Sequence, residues 1–239
     1  TPIKSSAASD VYKRQVLDAG NTALQYKQVL SEKEHWKLVP GGNYVVTRNH
    51  SALIAFTIPE KESWKFHIIA SHSDSPSFKI KENPEIVVEK KYVKLNVEKY
   101  GGMLMAPWFD RPLSVAGRVV VRRDGSLKEE LVNIDRDLVM IPSLAIHMNR
   151  EANKGVSYNP QKDLLPLLGC GDSRPELLNI IAEELKVSTE DILAHDLFLY
   201  NRTEGTIWGA DREFVSAPRL DDLQLSLIHI SEPTRHAQI

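Results

Sequence analysis

Two hydrophobic patterns that cannot share one kind of sheet meet near Pro84. Upstream, in "WKFHIIASHSDS", Phe66, Ile68, Ile69 and Ala70 form a near-continuous apolar run. Such a run suits a strand covered on both faces, as in the parallel sheet of an α/β domain. Downstream, "YVKLNVEK" alternates, with Val93, Leu95 and Val97 on one face and Lys94, Asn96 and Glu98 on the other. That is the pattern of an antiparallel strand with one face in solvent. The chain is therefore expected to be α/β, with a parallel domain interrupted by a second, more antiparallel one. The expected divisions are 16–85 for the first part of the α/β domain, 86–208 for the insertion and 209–224 for the return.

Local signals fill in this frame. A helix-like opening from Val16 stops at the breaker Pro40-Gly41-Gly42. "NYVVTRNHSALIAFTI" reads as two strands around Asn49-His50-Ser51, and "SVAGRVVVRRDGSLKEELVNI" as a hairpin turning at Asp124-Gly125. Residues 142–166 are loop-rich. "PELLNIIAEEL" predicts a helix over Pro175–Leu185 with Leu178, Ile181 and Leu185 on one face. "VSTEDILAHDL" predicts another, with Ser188 as its N-cap and Asp191 three residues on.

Charge and cysteine content exclude several partners. With 30 basic and 32 acidic residues the formal net charge is −2, which gives no footprint for nucleic acid or an anionic membrane surface. No apolar run reaches the roughly 20 residues of a membrane-spanning helix. One cysteine, Cys170, excludes a disulfide framework and a thiolate zinc site, and points to a cytoplasmic setting.

The two ends share an origin at the level of DNA. Leu225–Ser231, "LSLIHIS", can be written CTGTCTCTTATACACATCT, with the final serine completed by the next bases. The reverse strand, read from its second base, encodes Asp10–Gln15, "DVYKRQ". Residues 1–15 and 225–239 are accordingly expected to be translated sequencing-adapter DNA flanking a piece of a longer gene, and to pack against nothing. His229 and His236 are set aside as ligands on that ground.

Within the remaining chain, two short motifs carry metal chemistry. At the end of a strand, His72 in "SHSDSP" points its imidazole outward, and Asp74 falls on the same side two residues on. The carboxyl edge of the strands is where ligands collect in open α/β sheets. In "SAPRLDDL", Asp221 and Asp222 offer carboxylates, whose two oxygens can bridge two divalent ions. Taken singly, each motif also reads as a surface histidine or a solvated turn.

Five ordered stretches give these motifs a context: "LVPGGNYVVTRNHSALIAF", "SHSDSPSFKIKENPE", "YGGMLMAPWFDRPLSVAGRV", "IPSLAIHMNR" and "LFLYNRTEGTIWGADREFVSAPRLDDL". Together they resemble the aspartyl aminopeptidase family of dinuclear zinc exopeptidases. The resemblance implies a zinc-exopeptidase-like catalytic domain, truncated here, interrupted by a dimerisation domain. It implies two zinc ions per active site, peptide substrates and a homo-oligomer, commonly a tetrahedral dodecamer. By the same resemblance His72 binds one zinc, Asp221 bridges both, and Asp74 supports the catalytic site. Asp222 is expected to be structural. Trp108, Asp110 and Arg111 fall in a segment of the inserted domain and read as fold or interface contacts. Some relatives carry a histidine just ahead of that segment; Ala106 and Pro107 stand here instead, so its role is not carried over. His147 is either a structural residue or one that reaches a neighbouring active site, while His35, His50, His67 and His195 read as structural or surface residues. The family's other ligands and its glutamate general base lie beyond Asp222, so the chain by itself is expected to be inactive. Another dinuclear zinc exopeptidase or deacylase, or a non-catalytic assembly subunit, are the alternative readings.

Overall fold

The computed structural model describes residues 28–30, 35–48, 52–61, 65–171 and 175–231. The described residues fall into two compact units, one comprising those up to 75 together with 219–231 and the other those from 76 to 218.

In the first unit, strand β1 (Gln28–Leu30) runs parallel to β2 (Asn43–Arg48), which pairs antiparallel with β3 (Ala52–Thr57). The β2–β3 hairpin is the one read from the sequence, although its turn, 49–51, lies outside the described residues. Most of the helix-like opening also lies outside them, and Gln28–Leu30 is strand rather than helix. Gly41, at φ 75°, turns the chain ahead of β2, and the Val39 N–H donates to the Tyr44 hydroxyl at 2.8 Å. Tyr44 in turn stacks on Phe56, ring centroids 5.5 Å apart.

The expected buried strand at Phe66–Ala70 is not formed. Residues 65–70 carry no regular structure, and Phe66 and Ile68 are 88% and 85% exposed. A strand buried on both faces needs partners along its edges and layers above and below. Among the described residues none pairs with this segment. The apolar run therefore has the composition of an interior strand without the neighbours that would make it one.

In the second unit, six strands form an antiparallel sheet. They are β4 (Ser77–Val88), β5 (Tyr92–Tyr100), β6 (Leu113–Arg123), β7 (Ser126–Asn133), β8 (Leu167–Cys170) and β9 (Ile192–Asn201). Their order is β7-β6-β9-β4-β5-β8. The predicted hairpin is there: β6 and β7 turn through Asp124 and Gly125, both at positive φ (54° and 74°), the geometry that matches strand twist. The alternation read in β5 is also realised, with Val93, Leu95 and Val97 at most 1% exposed. Because β4 is continuous through Pro84, the expected division at 85/86 falls inside a strand, and the compact unit begins at Pro76.

The apolar side chains of β4, β5, β6 and β9 are covered by helix α1 (Leu177–Leu185), which buries Leu177 and Ile181. This is the helix predicted at Pro175–Leu185. No side chain of its own caps the first turn; instead Glu85 Oε1 accepts the Leu177 N–H at 2.6 Å from β4. The helix expected from Ser188 is overturned. Thr189–Asp191 makes one 3₁₀ turn and the chain then becomes β9, flanked by β6 and β4. Leu197 and Leu199 alternate into the core and pairing on both edges outweighs the capping signal. Gly117 in β6 permits this close pairing, since a Cβ there would lie 2.1 Å from the Asp196 carbonyl oxygen. A short hairpin of β10 (Thr206–Trp208) and β11 (Phe214–Ser216) completes the unit.

Among the described residues, β1–β2 is the one parallel ladder between strands, so the mixed α/β chain is built mainly from antiparallel sheets. No described helix is long and apolar enough to cross a membrane.

His195 on β9 has both ring nitrogens shielded from solvent, beside the Glu82 backbone. Burial pushes its pKa below the usual histidine value, against the Glu82 and Asp196 carboxylates and in concert with Lys79. A depressed folded-state pKa means that the unfolded chain takes up the proton first as pH falls. The stability of this unit should therefore be complete above about pH 6.5 and decline as pH falls below it. Urea unfolding from pH 7.5 to 5 should show that decline, and His195→Gln should flatten it.

Candidate metal centre

Within the first unit, the chain leaves the irregular segment at Ser71 and brings His72, Asp74 and Ser75 to Asp221 and Asp222. The latter two stand at the start of α2 (Leu220–Ser231). Neither Asp221 (φ −85°, ψ 111°) nor Asp222 (φ −121°, ψ 23°) is helical, so regular helix follows them. Their position places two carboxylates at a helix N-terminus, where the backbone dipole favours negative charge.

The imidazole of His72 is held from one side and faces a carboxylate on the other. Its Nδ1 lies 3.0 Å from the Asp74 carbonyl oxygen and 3.3 Å from Asp74 Oδ1. A carbonyl oxygen can only accept, so Nδ1 carries the proton. In the neutral ring Nε2 then presents its lone pair, and it stands 3.2 Å from Asp221 Oδ1. Two electron-rich atoms at that separation repel unless a proton or a cation lies between them. The Asp74 backbone contact, aided by the charges of Asp222, Asp74 and Asp221, raises the His72 pKa despite partial desolvation.

The two carboxylates of the Asp-Asp pair point in different directions. The Asp221 side chain is 93% exposed, whereas that of Asp222 is 14% exposed. Asp222 Oδ2 accepts the His72 N–H at 3.2 Å and stands 4.0 Å from Nε2. The Asp221 carbonyl accepts from Ser75 Oγ at 3.2 Å.

Zinc bonded to a histidine nitrogen and a carboxylate oxygen at about 2.0–2.1 Å, in tetrahedral geometry, sets those donors roughly 3.3 Å apart. The His72–Asp221 separation of 3.2 Å fits one shared ion. The 4.0 Å from Nε2 to Asp222 would need the two donors almost opposite each other on the metal, which tetrahedral geometry does not allow. Among the described residues no group of three or more His, Cys, Asp or Glu side chains converges on one metal position. Asp74 engages the far side of the His72 ring, so this pair supplies two donors.

The remaining sequence-selected residues lie elsewhere. In the 76–218 unit, Trp108 packs edge-on against Phe78 at 5.1 Å. Asp110 Oδ1 accepts the Ser143 N–H at 2.9 Å, a bond that holds its carboxyl below the usual carboxylate range. Both make contacts within the fold. His147 is exposed in a turn, and His35 and His67 are exposed, while His50 lies outside the described residues. So do His236 and the side chain of His229.

Sequence reasoning missed Ser75 and Ser226. Ser226, only 5% exposed, donates its hydroxyl to the His72 carbonyl at 2.9 Å and lies 3.0 Å from the Ser71 hydroxyl. At this residue the expectation that the chain from 225 onward packs against nothing is overturned. A small hydroxyl side chain four residues after Asp222 meets the His72 carbonyl, whatever the origin of its codon. Leu225 beside it is 46% exposed.

A profile of the aminopeptidase I zinc metalloprotease family (M18) matches residues 14–234. The chain belongs to this family. It is 49% identical over 204 residues to the probable M18 family aminopeptidase 2 of Clostridium acetobutylicum, covering 82% of this chain and 47% of that one. The Pseudomonas entomophila protein of the same name is 39% identical over 204 residues, with the same coverage on both sides. The chain thus spans about half the length of the curated relatives it matches. Among solved structures, it resembles one chain of the cryo-EM Ape4–Nbr1 complex, with a TM-score of 0.85, 33% identity and coverage of 99% of this chain and 49% of that one. It also resembles Chaetomium thermophilum mApe1, with a TM-score of 0.83, 29% identity and coverage of 95% and 55%.

In the metal-free chain the His72 imidazole should titrate above pH 6.5, the ordinary value. Asp221→Asn removes one of the charges that favour the proton and should lower that midpoint. Proton-coupled NMR shifts of the His72 ring would show both effects.

Proposed function

We propose that this chain is part of a zinc aminopeptidase that hydrolyses N-terminal residues from peptides, with His72 as a terminal metal ligand and Asp221 as the ligand shared between two ions. The observation that carries this reading is the facing pair His72 Nε2 and Asp221 Oδ1, 3.2 Å apart with Nδ1 tied to Asp74. Asp74 fixes the ring's tautomer and orientation, so that the lone pair of Nε2 is aimed at the metal position rather than at solvent. Asp221, almost fully exposed, has both carboxylate oxygens available for donation. Zinc, when bound, lowers the pKa of a coordinated water and polarises the scissile carbonyl. The general base and the further ligands implied by the family are not among the residues assembled here, so we take the chain alone to be inactive.

A homo-oligomer is part of the same reading. Its support is the likeness to Saccharomyces cerevisiae mApe1, solved as a dodecamer, at 26% identity and a TM-score of 0.69. The lone cysteine supports a cytoplasmic setting. We further propose that Asp10–Gln15 and Leu225–Ser231 are the two strands of one adapter sequence in translation; their complementarity supports this, although the family match extends to 234.

Zinc titrated into the chain should bind weakly, and both His72→Ala and Asp221→Asn should abolish that binding. The same preparation should release no N-terminal residue from peptides with zinc added. Chelator-sensitive release would overturn the inactivity, and zinc binding untouched by either substitution would overturn the site. Separately, long reads of the source DNA across codon 224 should depart from "LSLIHIS"; continuation through it in genomic DNA would refute the adapter origin.

A further inference from the structure

Two carboxylates stand side by side at the start of α2, and only one of them faces outward. The other, on Asp222, is spent on the backbone of the histidine it neighbours in space. Its Oδ2 accepts the His72 N–H at 3.2 Å, while Ser226, four residues along the same helix, donates to the His72 carbonyl at 2.9 Å. The start of α2 therefore meets both polar groups of the His72 main chain, Asp222 from its non-helical entry and Ser226 from the regular helix that follows. Ser226 falls in the stretch attributed to adapter DNA, so Asp222 and Ser75 carry the inference. In the opposite direction Ser75, three residues after His72, donates to the Asp221 carbonyl at 3.2 Å. Each of the two segments thus reaches across to the main chain of the other.

From this reciprocal clasp we infer that Asp222 is a positioning residue for the metal pair, with Ser75 as its counterpart, and that neither is a metal ligand. The inference rests on the reading of His72 and Asp221 as ligands. The segments that carry them are about 150 residues apart in sequence, so no local geometry sets the spacing of Nε2 and Oδ1. The His72 amide is the nearest rigid point to its ring, and the Asp221 carbonyl is the nearest to its carboxylate. Holding those two points sets the spacing of the segments from which Nε2 and Oδ1, 3.2 Å apart, extend. Geometry also separates the two acidic side chains: Asp222 Oδ2 is 4.0 Å from Nε2 and already engaged, whereas Asp221 Oδ1 is at ligand spacing. Asparagine at 222 keeps a carbonyl oxygen able to accept the His72 N–H, but it loses the anionic oxygen through which a carboxylate binds zinc. Alanine loses both.

The test uses the full chain and zinc alone, with binding read from the His72 ring shifts and the clasp read from hydrogen exchange at the His72 amide. Asp222→Ala should weaken zinc binding about 10–100-fold, the usual effect of removing a group that orients a ligand, and should speed exchange at the His72 amide. Asp222→Asn should retain wild-type affinity and a protected amide. Ser75→Ala should weaken binding in the same direction. Loss of binding in Asp222→Asn would make Asp222 a ligand and overturn the inference, as would unchanged binding in Asp222→Ala. Should Asp222→Ala fail to fold, Asp222→Asn decides alone. If His72→Ala and Asp221→Asn leave zinc binding intact, the metal reading itself fails, and the exchange rate of the His72 amide still reports whether the clasp exists.

Discussion

Nine residue pairs between β6 and β9, from Leu113 opposite Asn201 to Val121 opposite Ile192, hold together two parts of the chain some 80 residues apart. The rest of the 76–218 unit depends on that pairing. It sets Val115 opposite Leu199 and Leu197 opposite Gly117, and Val115, Val119, Val121, Leu197 and Leu199 are all fully buried. It needs Gly117, because any Cβ there would collide with the Asp196 carbonyl. Beside it, the Ile134 carbonyl accepts from both Ser114 Oγ and Tyr200 Oη, at 2.6 and 3.1 Å. Arg202, at the end of β9, binds Asp135 and Asp137 at 2.7 Å each, which ties the exit of β7 to the exit of β9. Once β9 is in place, β4 and β5 add to one side and β7 to the other, and α1 closes the apolar face.

The facing pair His72 and Asp221 is built on a different principle. No hydrophobic layer defines it; hydrogen bonds to main-chain atoms do. An amide and two carbonyls, belonging to His72 and Asp221, are each met by a side chain from the opposite segment. Such bonds contribute modestly to stability, about 0.5–1.5 kcal/mol each, or somewhat more where one partner is charged. Their value is positional, because they hold the two segments against each other. The electrostatics follow from the same placement. The Asp74 backbone contact and the three carboxylates around one imidazole raise the His72 pKa.

Several elements were legible because a single local pattern determined them. Val93, Leu95 and Val97 alternate into the core, and Asp124-Gly125 turns the β6–β7 hairpin, because period and turn chemistry act over a few residues. His72, Asp74 and Asp221 were legible as chemistry-bearing types, and the family resemblance placed them in order. Two readings failed for one shared reason. Phe66–Ala70 has the composition of an interior strand but no partner among the described residues. "VSTEDILAHDL" has a helix N-cap signal but lies between two strands that pair with it. In both, the neighbours in space decided the outcome, and they are remote in sequence. Ser75 and Ser226 went unnoticed because serines carry no signal until a carbonyl is placed within reach of them.

By itself, then, the sequence determined the family, the types of donor available for a metal, the strand alternation and the tight turns, all of which depend on residue identity over short windows. Only the tertiary structure decided which carboxylate of Asp221 and Asp222 faces the histidine. It also decided that His72 is clasped through its own main chain and that residues 192–201 are strand rather than helix. Those outcomes depend on distances between segments 80 to 150 residues apart, set by pairing and hydrogen bonding that no local pattern encodes.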